Sequence, residues 1–216
     1  MKLRSTSQLG FSLVEMIVSL GLFSVVITIS VGALLMLVAT NEQLQSEQTV
    51  MTNLSFAIDS MTREIRTGTN YYCVARANPG GLFSTAADQS TLDGTNDCDE
   101  GNSGSRSLQG ISFIEGGNSV TGGADRILYF YDQTGFENDG KIMRRVGNDA
   151  PQSIVSSGIY ITNAEFFVSG SESLDSDPTE VDQAAVTIFI EARESSDSTG
   201  KPYRIQTTVV QRTLDI

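Results

Sequence analysis

Hydrophobic side chains follow three successive patterns along this chain. Residues 13–39 are almost wholly apolar, interrupted by Glu15, Gly21, Gly32 and a few Ser and Thr. From Asn41 the apolar positions thin to Leu44, Met51, Leu54, Ile58, Met61 and Ile65, at steps of 7, 3, 4, 3 and 4. Those steps place them on one helical face. Glu42, Glu47, Asp59, Arg63, Glu64 and Arg66 fill the others. No Pro or Gly falls between Asn41 and Gly68, so the pattern predicts one helix from about residue 12 to 67, roughly 80 Å long at ~1.5 Å per residue. The alternative for the stripe is a dimeric coiled-coil seam, against which it fades after three heptads.

Beyond Gly68 the pattern changes again. Runs rich in Ile, Val, Phe, Tyr and Thr occur at 110–114, 126–131, 141–146, 159–168, 184–192 and 204–210. They read as strands, although strict apolar/polar alternation is only partial. Asn138-Asp139-Gly140 between two of them is a hairpin signal. The predicted class is α+β: a long N-terminal helix, apolar and then amphipathic, packed on antiparallel sheet.

About 20 apolar residues span a bilayer core, so residues 13–39 are long enough to cross one. Lys2 and Arg4 precede the span, and the next cation is Arg63. By the positive-inside bias the N-terminus is cytoplasmic and the rest lies outside. A cleaved secretory signal has a shorter apolar region and a small-residue cleavage site, and Leu37-Val38-Ala39 is a poor one. A plain signal anchor is the other alternative. Glu15 separates both from a third reading. A carboxylate in an apolar helix costs about 2.5–3.5 kcal/mol at the bilayer centre, and less near the helix start, where the dipole favours negative charge. No cation lies within the span. A cut after Gly10 would give Phe11 a free amine about one turn from Glu15, a partner on this chain or on a neighbour.

Gly10-Phe11-Ser12-Leu13-Val14-Glu15, behind a short basic leader and ahead of an apolar helix, resembles the type IV prepilin signature. The resemblance implies cleavage between Gly10 and Phe11 by a prepilin peptidase, methylation of Phe11, and pairing of Glu15 with the amine of a neighbouring subunit. It implies a lollipop-shaped pilin whose domains are a leader (1–10), a transmembrane half-helix (11–40), an amphipathic half-helix (41–68) and an extracytoplasmic β-rich domain (69–216). Its partners would be other pilins or pseudopilins through the N-terminal helix, the peptidase, and the membrane before assembly. The signature is common to pili, type II secretion pseudopili and competence pili. Chain length and strand order resemble the larger minor pilins, the PilW-like and J-type group.

Composition narrows the chemistry. The 216 residues include no His, two Cys, 14 Lys+Arg and 26 Asp+Glu, for a formal charge of −12. Without His there is no Ser-His-Asp or Cys-His relay and no His-containing zinc site. The charge argues against general nucleic-acid binding. Residues 69–216 carry 21 acidic and 10 basic side chains, so the acidity lies in the external part and suits solubility. Cys73 and Cys98 fall in an oxidising compartment under the predicted topology; they are expected to pair, with two free thiols as the alternative.

Asp175, Asp177, Glu180 and Asp182 form an oxygen-rich run of the kind calcium prefers. The EF-hand pattern fails there, so a solvated acidic turn is the default and calcium the alternative; no other cofactor is implied. Asp93, Asp97, Asp99 and Glu100 make a second acidic cluster. Gly116-Gly117 and Gly122-Gly123 are turns, since no phosphate-loop pattern occurs. Lys141, Arg144 and Arg145 are expected on a solvated strand, Lys141 and Arg145 sharing one face, with DNA contact in a competence pilus as the alternative.

The expected function is structural and not enzymatic: a minor pilin or pseudopilin held in the inner or cytoplasmic membrane by a single pass, then extracytoplasmic in the filament, which it helps to initiate or cap. The rivals are a pilus-displayed adhesin or DNA-binding module and a membrane-anchored enzyme or sensor.

Overall fold

A computed structural model describes residues 10–75, 95–98, 108–116, 126–132, 140–147, 149–171, 183–194 and 202–212. The elements are α1 (Leu13–Thr67), β1 (Thr69–Ala75), β2 (Leu108–Ile114), β3 (Arg126–Asp132), β4 (Lys141–Val146), β5 (Gln152–Ser153), β6 (Ile159–Ser169), β7 (Ala185–Glu194) and β8 (Tyr203–Val210). This is the expected α+β architecture of the pilin type, a long helix with an apolar N-terminal half followed by antiparallel strands. The strands form two sheets, β1-β2-β3-β4-β5 and β6-β7-β8. The six strand runs read from the sequence are β2, β3, β4, β6, β7 and β8; β1 and the short β5 are additional. Of the predicted hairpin turn, Asn138 and Asp139 lie outside the described residues.

The chain divides into two compact units, residues 1–46 and 47–216. In the first, the helix is exposed on all sides, with Leu13, Ile17, Phe23, Ile29 and Leu35 all open to the surroundings. Ser19, Thr28, Ser30 and Thr40 donate their hydroxyls to carbonyls four residues back, at 2.7–2.9 Å. Each polar side chain so tied needs no external partner, which suits a helix in hydrocarbon.

In the second unit, α1 buries Val50, Leu54, Ala57, Ile58, Met61 and Ile65. The last four stripe positions are therefore core, but Leu44 and Met51 are exposed and Val50 and Ala57 are buried in addition. The same core holds Tyr71, Ile111, Phe113, Tyr129 and Tyr131 from the first sheet and Ile161, Phe166, Ile188 and Ile190 from the second. Fully burying such side chains stabilises by about 1.5–3 kcal/mol each. On the opposite face of β3, Leu128 and Phe130 are buried with Tyr72 and Met143, so this strand has no solvent side.

The helix is closed at its C-terminal end by the strands. Gly68 N donates to Ile65 O, Arg212 N donates to Arg66 O at 2.8 Å, and the Tyr71 hydroxyl donates toward Gly68 O at 2.7 Å and Ile65 O. These bonds satisfy carbonyls that a helix end leaves without partners. A Cβ at Gly68 would collide with the Phe113 ring, so the chain turns into β1 at the residue that lets the ring approach.

Residues 95–98 join the two sheets. Asn96 bridges Tyr72 of β1 in parallel, and Cys98 bridges Val168 of β6 in antiparallel fashion. The rungs are Cys73 N to Asn96 O, Asn96 N to Tyr71 O, Cys98 N to Val168 O and Val168 N to Cys98 O, at 2.9–3.2 Å. Further along β6, Ile161 N donates to Gly140 O at 2.8 Å. A side chain at Gly140 would strike Tyr131 and Ile161 O, which explains a glycine there.

Candidate functional site

Gly10 and Phe11 precede the first helical turn, and Phe11 is 81% exposed. Ser12 is the N-cap: its Oγ accepts from Glu15 N at 3.3 Å. Ser12 and Glu15 thus stand in the Ser-x-x-Glu spacing of a capping box, in which a side-chain oxygen satisfies one orphan N–H. Glu15 also lies in the first turn, where the helix dipole favours a negative charge. The dipole argument was read from the sequence; the cap was not, although the spacing was there to find it. The arrangement exposes the Gly10–Phe11 peptide ahead of a rigid helix and places a carboxylate one turn on.

Cys73 and Cys98 form the expected disulfide, with Cα atoms 5.8 Å apart, and both are buried. Cys73 belongs to β1, and Cys98 to the rung that joins the sheets. The bridge therefore links the first sheet to the strand segment that pairs with β6. Beside it, the Asp97 carboxylate accepts the N–H groups of Gly170 and Ser171, both at 2.8 Å. Gly170 has φ 67°, a conformation glycine adopts without penalty. Asp97 thus fastens the end of β6; Asp93, Asp99 and Glu100 of the same sequence cluster lie outside the described residues.

The cationic strand departs from expectation. Arg145 is buried, with Nε donating to Gly147 O at 3.0 Å. Arg144 points the other way, as alternation required, where it meets Glu64 of α1 and stays about one-third exposed. Its Nε lies 3.0 Å from Glu64 Oε2, which also accepts the Tyr129 hydroxyl at 2.8 Å. Only Lys141 is exposed. The solvated basic face is therefore replaced by one exposed lysine, one ion pair to the helix and one buried guanidinium. The physical reason is that sheet one is covered on both faces at β3, and the cover reaches β4 in part, burying Ile142 and Arg145 and half-burying Arg144.

This cluster shifts its members. Burial holds the Tyr129 phenol well above its ordinary value of 10.0, and the Glu64 carboxylate adds to this while Arg144 opposes it. For Arg144, burial alone would weaken the charge, but Glu64 and then Tyr129 outweigh it and hold the guanidinium above its ordinary value. The Tyr71 phenol is raised by burial. The Tyr129 phenol and the Arg144 guanidinium both keep their protons at neutral pH, so Glu64 has two donors from the sheet there. The helix stripe predicted that one face of α1 meets a sheet but set Glu64 off that face, and no local pattern marked it as the residue that would bind across.

Asp175, Asp177, Glu180 and Asp182 lie outside the described residues. Among the described residues no three His, Cys, Asp or Glu side chains come together as a metal-binding group. On the outer face of the β6-β7-β8 sheet a shallow groove of about 480 Å³ runs past Phe167, Phe189, Glu165 and Gln206.

Residues 5–31 match the family model described as the prokaryotic N-terminal methylation motif. The match includes Gly10, Phe11, Ser12 and Glu15 and ends within the apolar half of α1. No curated protein and no solved structure matches the chain.

Proposed function

From the premise that this is a type IV pilin/pseudopilin-like protein, with a helix long and apolar enough to anchor it in a membrane by a single pass, we propose that it is a minor pilin or pseudopilin that helps to start or cap a filament. A prepilin peptidase cuts between Gly10 and Phe11, and the new amine of Phe11 is methylated. The chain waits in the inner or cytoplasmic membrane with its N-terminus inside, then leaves the lipid as its apolar helix joins those of other pilins. Glu15 sets the register of that bundle by pairing with a neighbour's N-terminal amine. The role is structural and not enzymatic.

The observation that carries this reading is the division of α1. Its first half buries none of its residues within the chain, and its second half buries six. A helix that keeps one half apolar on every side needs another apolar environment for it, first lipid and then the helices of other subunits. The assignment to the minor group rests on the length of the chain and the order of its strands.

The test is the intact mass of the chain expressed with and without a prepilin peptidase. Loss of residues 1–10 and gain of one methyl on Phe11 is the expected outcome. An intact Met1 terminus beside an active peptidase would overturn the processing and leave a signal-anchored domain. Glu15→Ala is expected to be processed but to fail to join filaments; normal incorporation would remove that role from Glu15.

A further inference from the structure

The Gly10–Phe11 bond stands just ahead of the helix. Gly10, Phe11 and Ser12 are exposed and lie outside α1, which begins at Leu13. Ser12 marks that boundary twice. Its carbonyl accepts the first helical bond, from Met16 N at 3.3 Å, and its Oγ accepts Glu15 N at 3.3 Å. A residue used in this way keeps a non-helical backbone, so the helix runs through it only by giving up the side-chain bond. Packing within the chain does not fix the boundary. A Cβ at Gly10 would meet no atom within 4 Å, and Phe11 is 81% exposed. Gly10 discourages a longer helix only as a poor helix former.

We propose that Ser12 is a positioning residue for processing: its hydroxyl ends α1 just after Phe11 and so keeps the Gly10–Phe11 peptide in non-helical backbone, open to the peptidase. The inference rests on the reading of this chain as a peptidase substrate. Hydrolysis adds water to the Gly10 carbonyl carbon, breaks its bond to nitrogen and releases Phe11 with a free amine. Within a helix, Gly10 O would accept from Val14 N, and the surrounding turn would cover the carbonyl. The bond would then be cut only in the fraction of chains opened there. Loss of the hydroxyl favours that state in a membrane. Glu15 N–H loses its acceptor, and where water is scarce the replacement is Phe11 O, four residues back. Taking it makes position 12 helical and leaves Phe11, which has no capping group, at the boundary. The next side chains upstream able to cap are Ser7 and Thr6, and a helix begun at either one contains Gly10–Phe11.

The test follows cleavage of the full chain in membranes by a prepilin peptidase, for the native sequence and for Ser12→Ala, Ser12→Thr and Ser12→Asn, with rates normalised to inserted precursor. Ala has no capping group, whereas Asn caps about as well as Ser and carries no hydroxyl. Ser12→Ala is expected to be cut several-fold more slowly than the native chain, and Ser12→Asn to regain most of the rate. Amide exchange of Phe11 in the uncleaved full chain, in detergent micelles, reads the helix itself. It should be slower in Ser12→Ala than in the native chain or Ser12→Asn, because a helix capped at Ser7 ties Phe11 N–H to Ser7 O. Equal cleavage of the native chain and Ser12→Ala would overturn the inference and leave the processing standing. Rescue by Thr and not by Asn would also overturn it, since the peptidase would then be contacting the hydroxyl directly. So would slower cleavage of Ser12→Ala with Phe11 exchange unchanged. A native chain that an active peptidase never cuts would remove the processing, and this inference with it.

Discussion

Removal of the disulfide tests how the two sheets are held. Cys73 and Cys98 are 25 residues apart in sequence, and the chain-entropy relation for a closed loop of that size gives about 3.5 kcal/mol of stabilisation at room temperature. The perturbation is the double change Cys73→Ala and Cys98→Ala, which avoids burying two hydroxyls where both sulfurs now sit. It is best read on a fragment beginning at residue 47, because every core residue belongs to that unit. A domain of that size loses about 2–4 °C per kcal/mol, so the melting temperature should fall by about 7–14 °C. The same fragment in urea should lose about 3.5 kcal/mol. It should also show a larger m-value, since an uncrosslinked denatured chain exposes more surface. The backbone rungs of residues 95–98 do not involve the sulfurs and are expected to persist in the folded variant, which assigns the loss to the denatured state. A loss under about 1 kcal/mol with unchanged m would refute that assignment.

Two further outcomes follow from the tie between α1 and the first sheet. Tyr129→Phe removes the hydroxyl that Glu64 accepts at 2.8 Å. A hydrogen bond to a charged group is worth about 1.5–3 kcal/mol, but the Glu64 side chain is 25% exposed, so a loss of about 1 kcal/mol is expected in urea. Combination with Glu64→Gln should be less than additive, since both changes act on one bond; strict additivity would show the contact to be idle. The raised phenols of Tyr71 and Tyr129 fix the alkaline behaviour. The unfolded chain releases these protons from about pH 10, while the folded chain keeps them. It follows that stability is level with respect to these groups below pH 10 and falls as pH rises through the folded values, by at most about 1.4 kcal/mol per pH unit for each tyrosine. Urea midpoints from pH 8 to 11.5 measure this slope, and Tyr129→Phe should reduce it; an unaltered slope would contradict the burial argument.

Those elements that obey one period were legible in the sequence, and those that depend on distant chain were not. The helix was predicted from about 12 to 67 and spans Leu13–Thr67, because nothing breaks it and its apolar positions keep helical spacing. β6 reads poorly as alternation because of a register shift between Ile161 and Asn163. Before it Ile159 and Ile161 are buried; after it Ala164, Phe166 and Val168 are. The extra residue re-phases the pattern, and the Tyr131 hydroxyl donates to the carbonyls of Ile161 or Thr162 there, at 2.9 and 3.0 Å. β3 shows no alternation because both its faces are covered. β1 was not recognised at all, as Tyr71-Tyr72-Cys73-Val74 is too short a run to stand out without the rung from Asn96. Arg144 and Arg145 looked like solvent residues because a sequence counts charges without showing what lies across the sheet.

The motif at the start of the helix was legible residue by residue, yet its cap changes how Glu15 is to be understood. The bond to Ser12 Oγ comes from the backbone N–H of Glu15 and not from its carboxylate. Loss of the Glu15 side chain therefore leaves that bond in place, and loss of the Ser12 hydroxyl leaves the carboxylate in place. The first turn needs the hydroxyl because its leading N–H groups have no carbonyl to reach, and the need is greater where water is scarce. The carboxylate is not required for that bond, and its cost in an apolar helix is real. A carboxylate that is costly where it stands, and that the cap can do without, is what the proposed pairing with a neighbour's amine would account for. This supports the proposed role of Glu15 on physical grounds separate from the match to the methylation motif.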